Sequence, residues 1–338
     1  MVTTAKPRPV AAQAEAAPRA AREVYRDVLA ELLGQDERLV CLDSDTGLFS
    51  ATDWGRAAER YINLGIAEQN LMGAAAGLAR AGRIPFVNTM ATFATTRALE
   101  SVKLDIAMND LPVRIAATHG GLSAGHLGST HHSLEDLAVM RMLPNMTVIA
   151  PADAAAIEEL VRASVDLPGP VYLRLGRGPT PDLGPGLSPI RIGRAQTLRE
   201  GRDISLVATG PYPVLAARAA ADELAGEGIE ATVLNMHTIK PLDIEALAAA
   251  VETTLGIVTV EEHWAAGGLG SAVAEVVAEM SAGCPVLRVA VHDTFAAGTG
   301  AHRHLLEHNG ITADAVAARA RHALRALPQR RAVPNDRR

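Results

Sequence analysis

Two α/β domains, each a parallel or mostly parallel sheet flanked by helices, are the fold this sequence predicts. Short apolar runs of strand length alternate with helix-length segments, a rhythm that builds parallel sheets covered on both faces. The alternation halts at a Pro/Gly-rich stretch and then resumes, and 338 residues exceed one ordinary hydrophobic core.

The first element is a helix over 22–33, where Val24, Val28, Leu29, Leu32 and Leu33 recur at helical spacing; 39–42 follows as a short buried strand. A strand ends at Asn63 and a small-residue helix starts near Glu68. Strands over 84–88, 112–118, 146–150 and 170–175 alternate with helical segments at 97–109 and 153–165. Residues 176–189 hold four prolines and four glycines and can continue neither helix nor strand. Beyond them come strand 203–208, helix 212–227, strand 230–235, helix 243–252, strand 256–261 and a Gly-opened helix over 268–282. The expected layout is a tail over 1–20, a first domain over 21–178, a linker over 179–199, a second domain over 200–328 and a basic tail over 329–338.

Composition narrows the function classes. Hydrophobic residues at 48% and charged residues at 21% describe a chain able to form a core. A net charge of -6 without a Lys/Arg stripe leaves no footprint for nucleic acid. The longest apolar runs fall short of the roughly 20 residues that cross a bilayer, so no membrane partner is expected. Lys6, Arg8 and Arg19 lie among alanines without the Leu-rich stretch of a signal peptide. Cys41 and Cys284 are too few for a disulfide framework or zinc cluster and read as packing residues of a cytoplasmic protein.

The chemistry concentrates around Glu68, in INLGIAEQNLMGAAAGLAR over 62–80. This acid stands where a helix opens at the carboxyl end of a strand, the edge at which open parallel sheets bind ligands. An acid in a first turn also serves simply to complement the helix dipole. Gly73, Ala74, Ala75, Ala76, Gly77 and Ala79 allow another backbone to approach closely, as at an interface. A second dense segment, THGGLSAGHLGSTHHSLEDLA, puts His119, His126, His131 and His132 within 14 residues. Its glycines indicate loops, and no pair shows the i, i+4 spacing of a helical zinc motif, so no metal site is assigned.

NLGIAEQN followed by GAAAGLA resembles the pyrimidine-domain signature of the transketolase family, and the resemblance runs from about residue 22 to about 325. It implies thiamine diphosphate as cofactor and a two-carbon ketol transfer. It gives Glu68 the hydrogen bond to N1′ of the aminopyrimidine, whose protonation favours the imino tautomer that takes the C2 proton. It places Phe93 of TFATTRALE on the aminopyrimidine; with only 3% aromatic residues, a phenylalanine core is not the expected habit of this chain. Asp45 of LDSDTG falls beside the cofactor, as do Ile66 and Met90, the latter replacing a family aromatic. His119 and His131 match substrate-side histidines that move protons between carbinol and carbonyl oxygens, and His132 replaces a common glutamine. Arg177 matches an arginine that grips a sugar phosphate, with Arg174 nearby as the alternative. TIKPLD and VEEHWAAGGLGSAVAEVVAE resemble the last domain, expected to be mainly scaffold, with His263 read as structural or, as the alternative, as lining the active-site entrance, and the GGLG turn too weak for a dinucleotide site.

Departures from the family point to an unusual substrate. The acidic pair before the loop glycine is here His126 and Leu127, and a donor hydroxyl left unpaired against leucine costs roughly 1 to 3 kcal/mol. A phosphate-binding serine is replaced near Phe49. There is no Gly-Asp-Gly turn to hold the Mg2+ that bridges the diphosphate. The expectation is therefore a partner subunit carrying that element in an α2β2 assembly. The β-subunit of a 2-oxoacid dehydrogenase and deoxyxylulose-phosphate synthase share the glutamate and sheet, but the Thr-His-His element favours transketolase. A non-catalytic assembly subunit is the alternative of a different class.

Overall fold

The computed structural model describes residues 18–184, 187, 189–281 and 283–326; most of the expected N-terminal tail and the whole basic tail lie outside them. Strands β1 (Leu39–Asp43), β2 (Tyr61–Asn63), β3 (Ile84–Met90), β4 (Arg114–Thr118), β5 (Thr147–Ile149) and β6 (Val171–Arg174) form the first sheet in the order β5-β6-β4-β3-β1-β2, all parallel. Its central strands are apolar and buried on both faces, as helix-covered parallel strands must be. Because the strands are parallel and in register, their carboxyl ends line up: Asp43 opposite Asn63 and Asn88, Met90 opposite Thr118.

The second sheet has the order β12-β11-β8-β9-β7, built from β7 (Gln196–Arg199), β8 (Ile204–Ala208), β9 (Ala231–Asn235), β11 (Ile257–Trp264) and β12 (Val286–Val291). Only β7 runs antiparallel. The expected linker over 179–199 thus ends in a strand: Gln196–Arg199 is too polar to read as one, but an edge position beside β9 tolerates that polarity.

The remaining strand, β10 (Thr238–Lys240), departs further from the expected layout. It follows β9 in the chain yet pairs antiparallel with β5, adding a seventh strand to the first sheet. Ala150 N–H donates to the His237 carbonyl at 2.7 Å alongside it. The TIKPLD segment is therefore a stitch between the units. The apolar core crosses with it, packing Met140, Leu143 and Met146 in one cluster with Met236, Ile239 and Leu269.

Two further features differ from the sequence reading. The helix expected at 97–109 is a short α-turn, Leu99–Ser101, continued by a π-helix, Val102–Ala107, a form that recurs near functional sites. Phe49 and Phe86 are buried in the core, so half of the four phenylalanines do serve it; Phe49 packs among Tyr25, Trp54 and Tyr61. Cys41 is buried and Cys284 half-buried. Among the described residues no helix is long and apolar enough to cross a membrane.

Candidate active site

Helix Glu68–Arg80 starts beyond the carboxyl end of β2, and its first residue turns inward. The Glu68 side chain is only 2% exposed, while the preceding Ile66 stands out at 73%. β3 ends at Met90 and passes directly into helix Ala91–Thr95, which presents Phe93, half-buried, on the same edge of the sheet. Arg97, four residues after Phe93 in the turn that follows this helix, lies with its guanidinium carbon 4.5 Å from the ring centroid and donates from Nη1 to Glu68 Oε2 at 3.2 Å. On another side of the ring, His131 makes an edge contact at 5.4 Å. Glu68, Arg97, Phe93 and His131 are thus joined in one run of contacts.

The histidine loop leaves β4 at Thr118. His119 adopts a left-handed φ of 62° and its side chain is buried. Gly121 and Ser133 exchange both backbone hydrogen bonds at 2.9 Å, closing the loop so that His119 comes near His131. Thr118 Oγ1 lies 2.9 Å from Nδ1 of His119 and 3.4 Å from the Thr89 carbonyl. The hydroxyl that donates to Thr89 accepts Nδ1–H, which leaves Nε2 of a neutral His119 with its lone pair. Burial pushes the His119 pKa down to about 4, helped by the charges of Arg22, Arg177, His126 and His131. Thr130 Oγ1 lies 2.9 Å from Nδ1 of His131.

Arg177 is half-buried at this end of the site, and Arg22 lies close enough that each cation is felt by His119. Arg22 Nε is buried without a hydrogen-bond partner, and burial followed by Arg177 lowers its pKa. Two such cations together make a setting for an anionic group. Arg174 is not available for that role. Its guanidinium is committed to Asp136 at 2.7 and 3.0 Å and to the carbonyls of Ser133 and Glu262.

Other expected residues divide between the site and its support. His126 is exposed and Leu127 is 37% exposed on the loop between the histidines. Asp45, exposed with a left-handed φ of 60°, accepts from Asn63 Nδ2 at 3.1 Å and has no hydrogen bond to Glu68 or the histidines. Asp43, two residues earlier, is the buried acid of that strand end; burial raises its pKa against the hydrogen bonds from Thr46 and Tyr61. His263 is buried and structural, with Nε2 accepting from Ala138 N–H at 3.2 Å and Nδ1 donating to the Trp264 carbonyl at 2.7 Å. The GGLG amides are occupied too: Glu261, buried, accepts from Leu269 N–H at 2.6 Å and Gly270 N–H at 2.8 Å. Among the described residues no group of three or more His, Cys, Asp or Glu side chains is placed to hold a metal ion.

Arg97 and Arg22 escape a motif reading. Arg97 lies in the turn after helix Ala91–Thr95, and only its nearness to Phe93 in the chain was available as a signal. Arg22 is 23 residues before Asp45 and gave no local signal.

Comparison with known proteins decides the family. Residues 17–181 match the family described as "Transketolase, pyrimidine binding domain", and residues 193–316 match "Transketolase, C-terminal domain". The 6-deoxy-6-sulfo-D-fructose transketolase subunit SqwH of Clostridium sp. (strain MSTE9) is 40% identical over 89% of this chain and 93% of its own length. The chain belongs to the transketolase family. A second transketolase relative, an apulose-4-phosphate transketolase subunit of Phocaeicola vulgatus, is 38% identical over 88% of this chain and 95% of its own. Among solved transketolases, one described as "Split gene transketolase, inactive beta4 tetramer" is 43% identical with a TM-score of 0.82, covering 90% of this chain and 98% of its own. A transketolase from Pichia stipitis, 23% identical with a TM-score of 0.74, shares the fold over 92% of this chain and 46% of its own.

The site also meets the chemical needs of the thiamine diphosphate used by the transketolase family. A buried carboxylate next to an aromatic face, with the apolar side chain of Ile66 beside it, suits a flat nitrogen heterocycle that is apolar on its faces and polar at its rim.

Proposed function

We propose that this chain is the pyrimidine-side and C-terminal subunit of a two-component transketolase, moving a two-carbon ketol unit from a ketose donor to an aldehyde acceptor. The observation that carries this reading is the buried Glu68 carboxylate beside Phe93 at the carboxyl edge of the parallel sheet. The partner chain supplies the diphosphate and Mg2+ site, and the working assembly is α2β2. Support for a partner comes from relatives named as subunits and from a split-gene β4 tetramer described as inactive. When bound, the cofactor supplies the carbon nucleophile that carries the ketol unit.

This chain's residues have five tasks. Glu68 shares a proton with the ring nitrogen that faces it, and its burial keeps water from competing for that proton. Phe93, Ile66 and Met90 wall the heterocycle, with Asp45 at the rim. His119 and His131, each with Nδ1 engaged by a neighbouring threonine, present Nε2 to the substrate oxygens and transfer protons there. Arg177, with Arg22, holds an anionic terminus of the sugar. His126 and Leu127, in place of the family's acidic pair, tune which donor hydroxyl is accepted.

The test is reconstitution with a partner chain carrying a Gly-Asp-Gly element. The wild-type pair should transfer ketol units, and Glu68→Gln should lower kcat by about 10² to 10⁴, the usual contribution of a positioned proton donor or acceptor. Unchanged turnover by Glu68→Gln would move the chain to the class of assembly subunits.

A further inference from the structure

Arg97 links Glu68 to Phe93 in a way that has a consequence for how the cofactor enters. Its guanidinium is flat and delocalised, lies with its carbon 4.5 Å from the Phe93 centroid, and aims an N–H at Glu68 Oε2 from 3.2 Å. Among the described residues Arg97 is the hydrogen-bond and ion-pair partner of the Glu68 carboxylate. These two contacts, a face on Phe93 and a nitrogen-bound hydrogen toward Glu68, are the ones the function proposed above reserves for the aminopyrimidine ring.

Resting on that function, we propose that Arg97 is a built-in surrogate for the cofactor ring. In the free subunit it takes the ring's place, neutralises Glu68 and braces Phe93; when the partner delivers thiamine diphosphate, it is displaced. The two halves of the ion pair differ in the way displacement requires. The Glu68 side chain is 2% exposed and cannot leave, whereas the Arg97 side chain, carried on the turn between Ala91–Thr95 and Leu99–Ser101, is 53% exposed and can swing its head into water while its stem stays in place. Arg97 also forms one wall of an open depression of about 450 Å³ that includes Ile66, Glu68 and Asn70, so its departure widens the space over Glu68. Two occupants that exclude each other make the cofactor's apparent affinity lower than its intrinsic one by the fraction of sites still plugged.

The test uses Arg97→Met, which keeps an unbranched stem of similar reach but removes the N–H donors and the charge. In the reconstituted two-subunit complex with Mg2+, calorimetric titration should show thiamine diphosphate binding about 5-fold tighter to the variant, the factor matching an ion pair at the upper end of the exposed range. The free Arg97→Met chain should melt several degrees lower, because Glu68 is left buried without a partner. Adding Glu68→Gln to Arg97→Met should recover most of that loss. An arginine with a merely structural role would lower the melting temperature too, but could not tighten cofactor binding. Equal or weaker binding by Arg97→Met therefore overturns the surrogate role while leaving the proposed function standing. A wild-type complex that takes up no thiamine diphosphate at all defeats both.

Discussion

His119 combines a left-handed backbone, a buried ring and a pKa held at about 4, against its ordinary value of 6.5. The unfolded chain therefore takes up a proton on this histidine before the folded chain does. Its neutral form favours folding above about pH 6.5, and that contribution is lost as the pH falls toward about 4, at about 1.4 kcal/mol per pH unit. His119→Asn tolerates the positive φ and removes the titration. Urea midpoints should accordingly fall less between pH 7 and pH 5 in this variant than in wild type. His237, also held at about 4 by burial, keeps its own share of the slope in both proteins. Leu127 gives a second prediction at this scale. Restoring an acid with Leu127→Asp should raise kcat/KM for xylulose 5-phosphate by roughly 5- to 100-fold, the range set by one unpaired buried hydroxyl. High efficiency of the wild-type complex on that donor would show that Leu127 does not limit it.

At the level of elements, the histidine loop is held in place by the C-terminal domain, so scaffold describes only part of what that domain does. Glu262 Oε1 accepts from Leu122 N–H at 2.5 Å and is 2.7 Å from His302 Nε2. Leu134 and Gly125 carbonyls accept from Trp264 and Gly300 N–H at 2.9 and 3.0 Å. Gly121, with φ 64°, is required here twice over: a Cβ would sit 2.3 Å from Glu262 Oε1, and the conformation itself disfavours side chains. Gly121→Ala should lower activity of the reconstituted complex by distorting the loop, with helix content unchanged by circular dichroism. Glu261 shows the same domain using a buried carboxylate as a helix cap. Glu261→Ala strips two charged hydrogen bonds from the amides of Leu269 and Gly270 and should cost about 2 to 4 kcal/mol in urea denaturation.

The whole molecule is more tightly joined than two domains on a linker. β10 crosses to the first sheet, the apolar core follows it, and Arg174 sits between the units with Asp136 on one side and the Glu262 carbonyl on the other. Arg174→Met leaves Asp136 buried without its cation and should destabilise by about 3 to 5 kcal/mol. Because the core is shared, calorimetry of the free chain should show one cooperative transition; two separated transitions would mean that the stitch does not couple the units.

What the sequence determined by itself was local. Apolar runs and helical spacing located most strands and helices, because period and length follow from backbone geometry, and the run around Glu68 marked the family because it is contiguous in the chain. Glu68 could be singled out from that run, and Phe93, His119 and His131 from their own short segments, TFATTRALE and THGGLSAGHLGSTHHSLEDLA. The tertiary structure alone decided the rest. Strand β10 belongs to the first sheet only because β5 offers an open edge. Arg174 is structural only because Asp136 folds against it, and Arg22 and Arg97 join the site only through neighbours distant in the chain. Pairings of this kind depend on which surfaces meet after folding, and no periodicity along the chain encodes them.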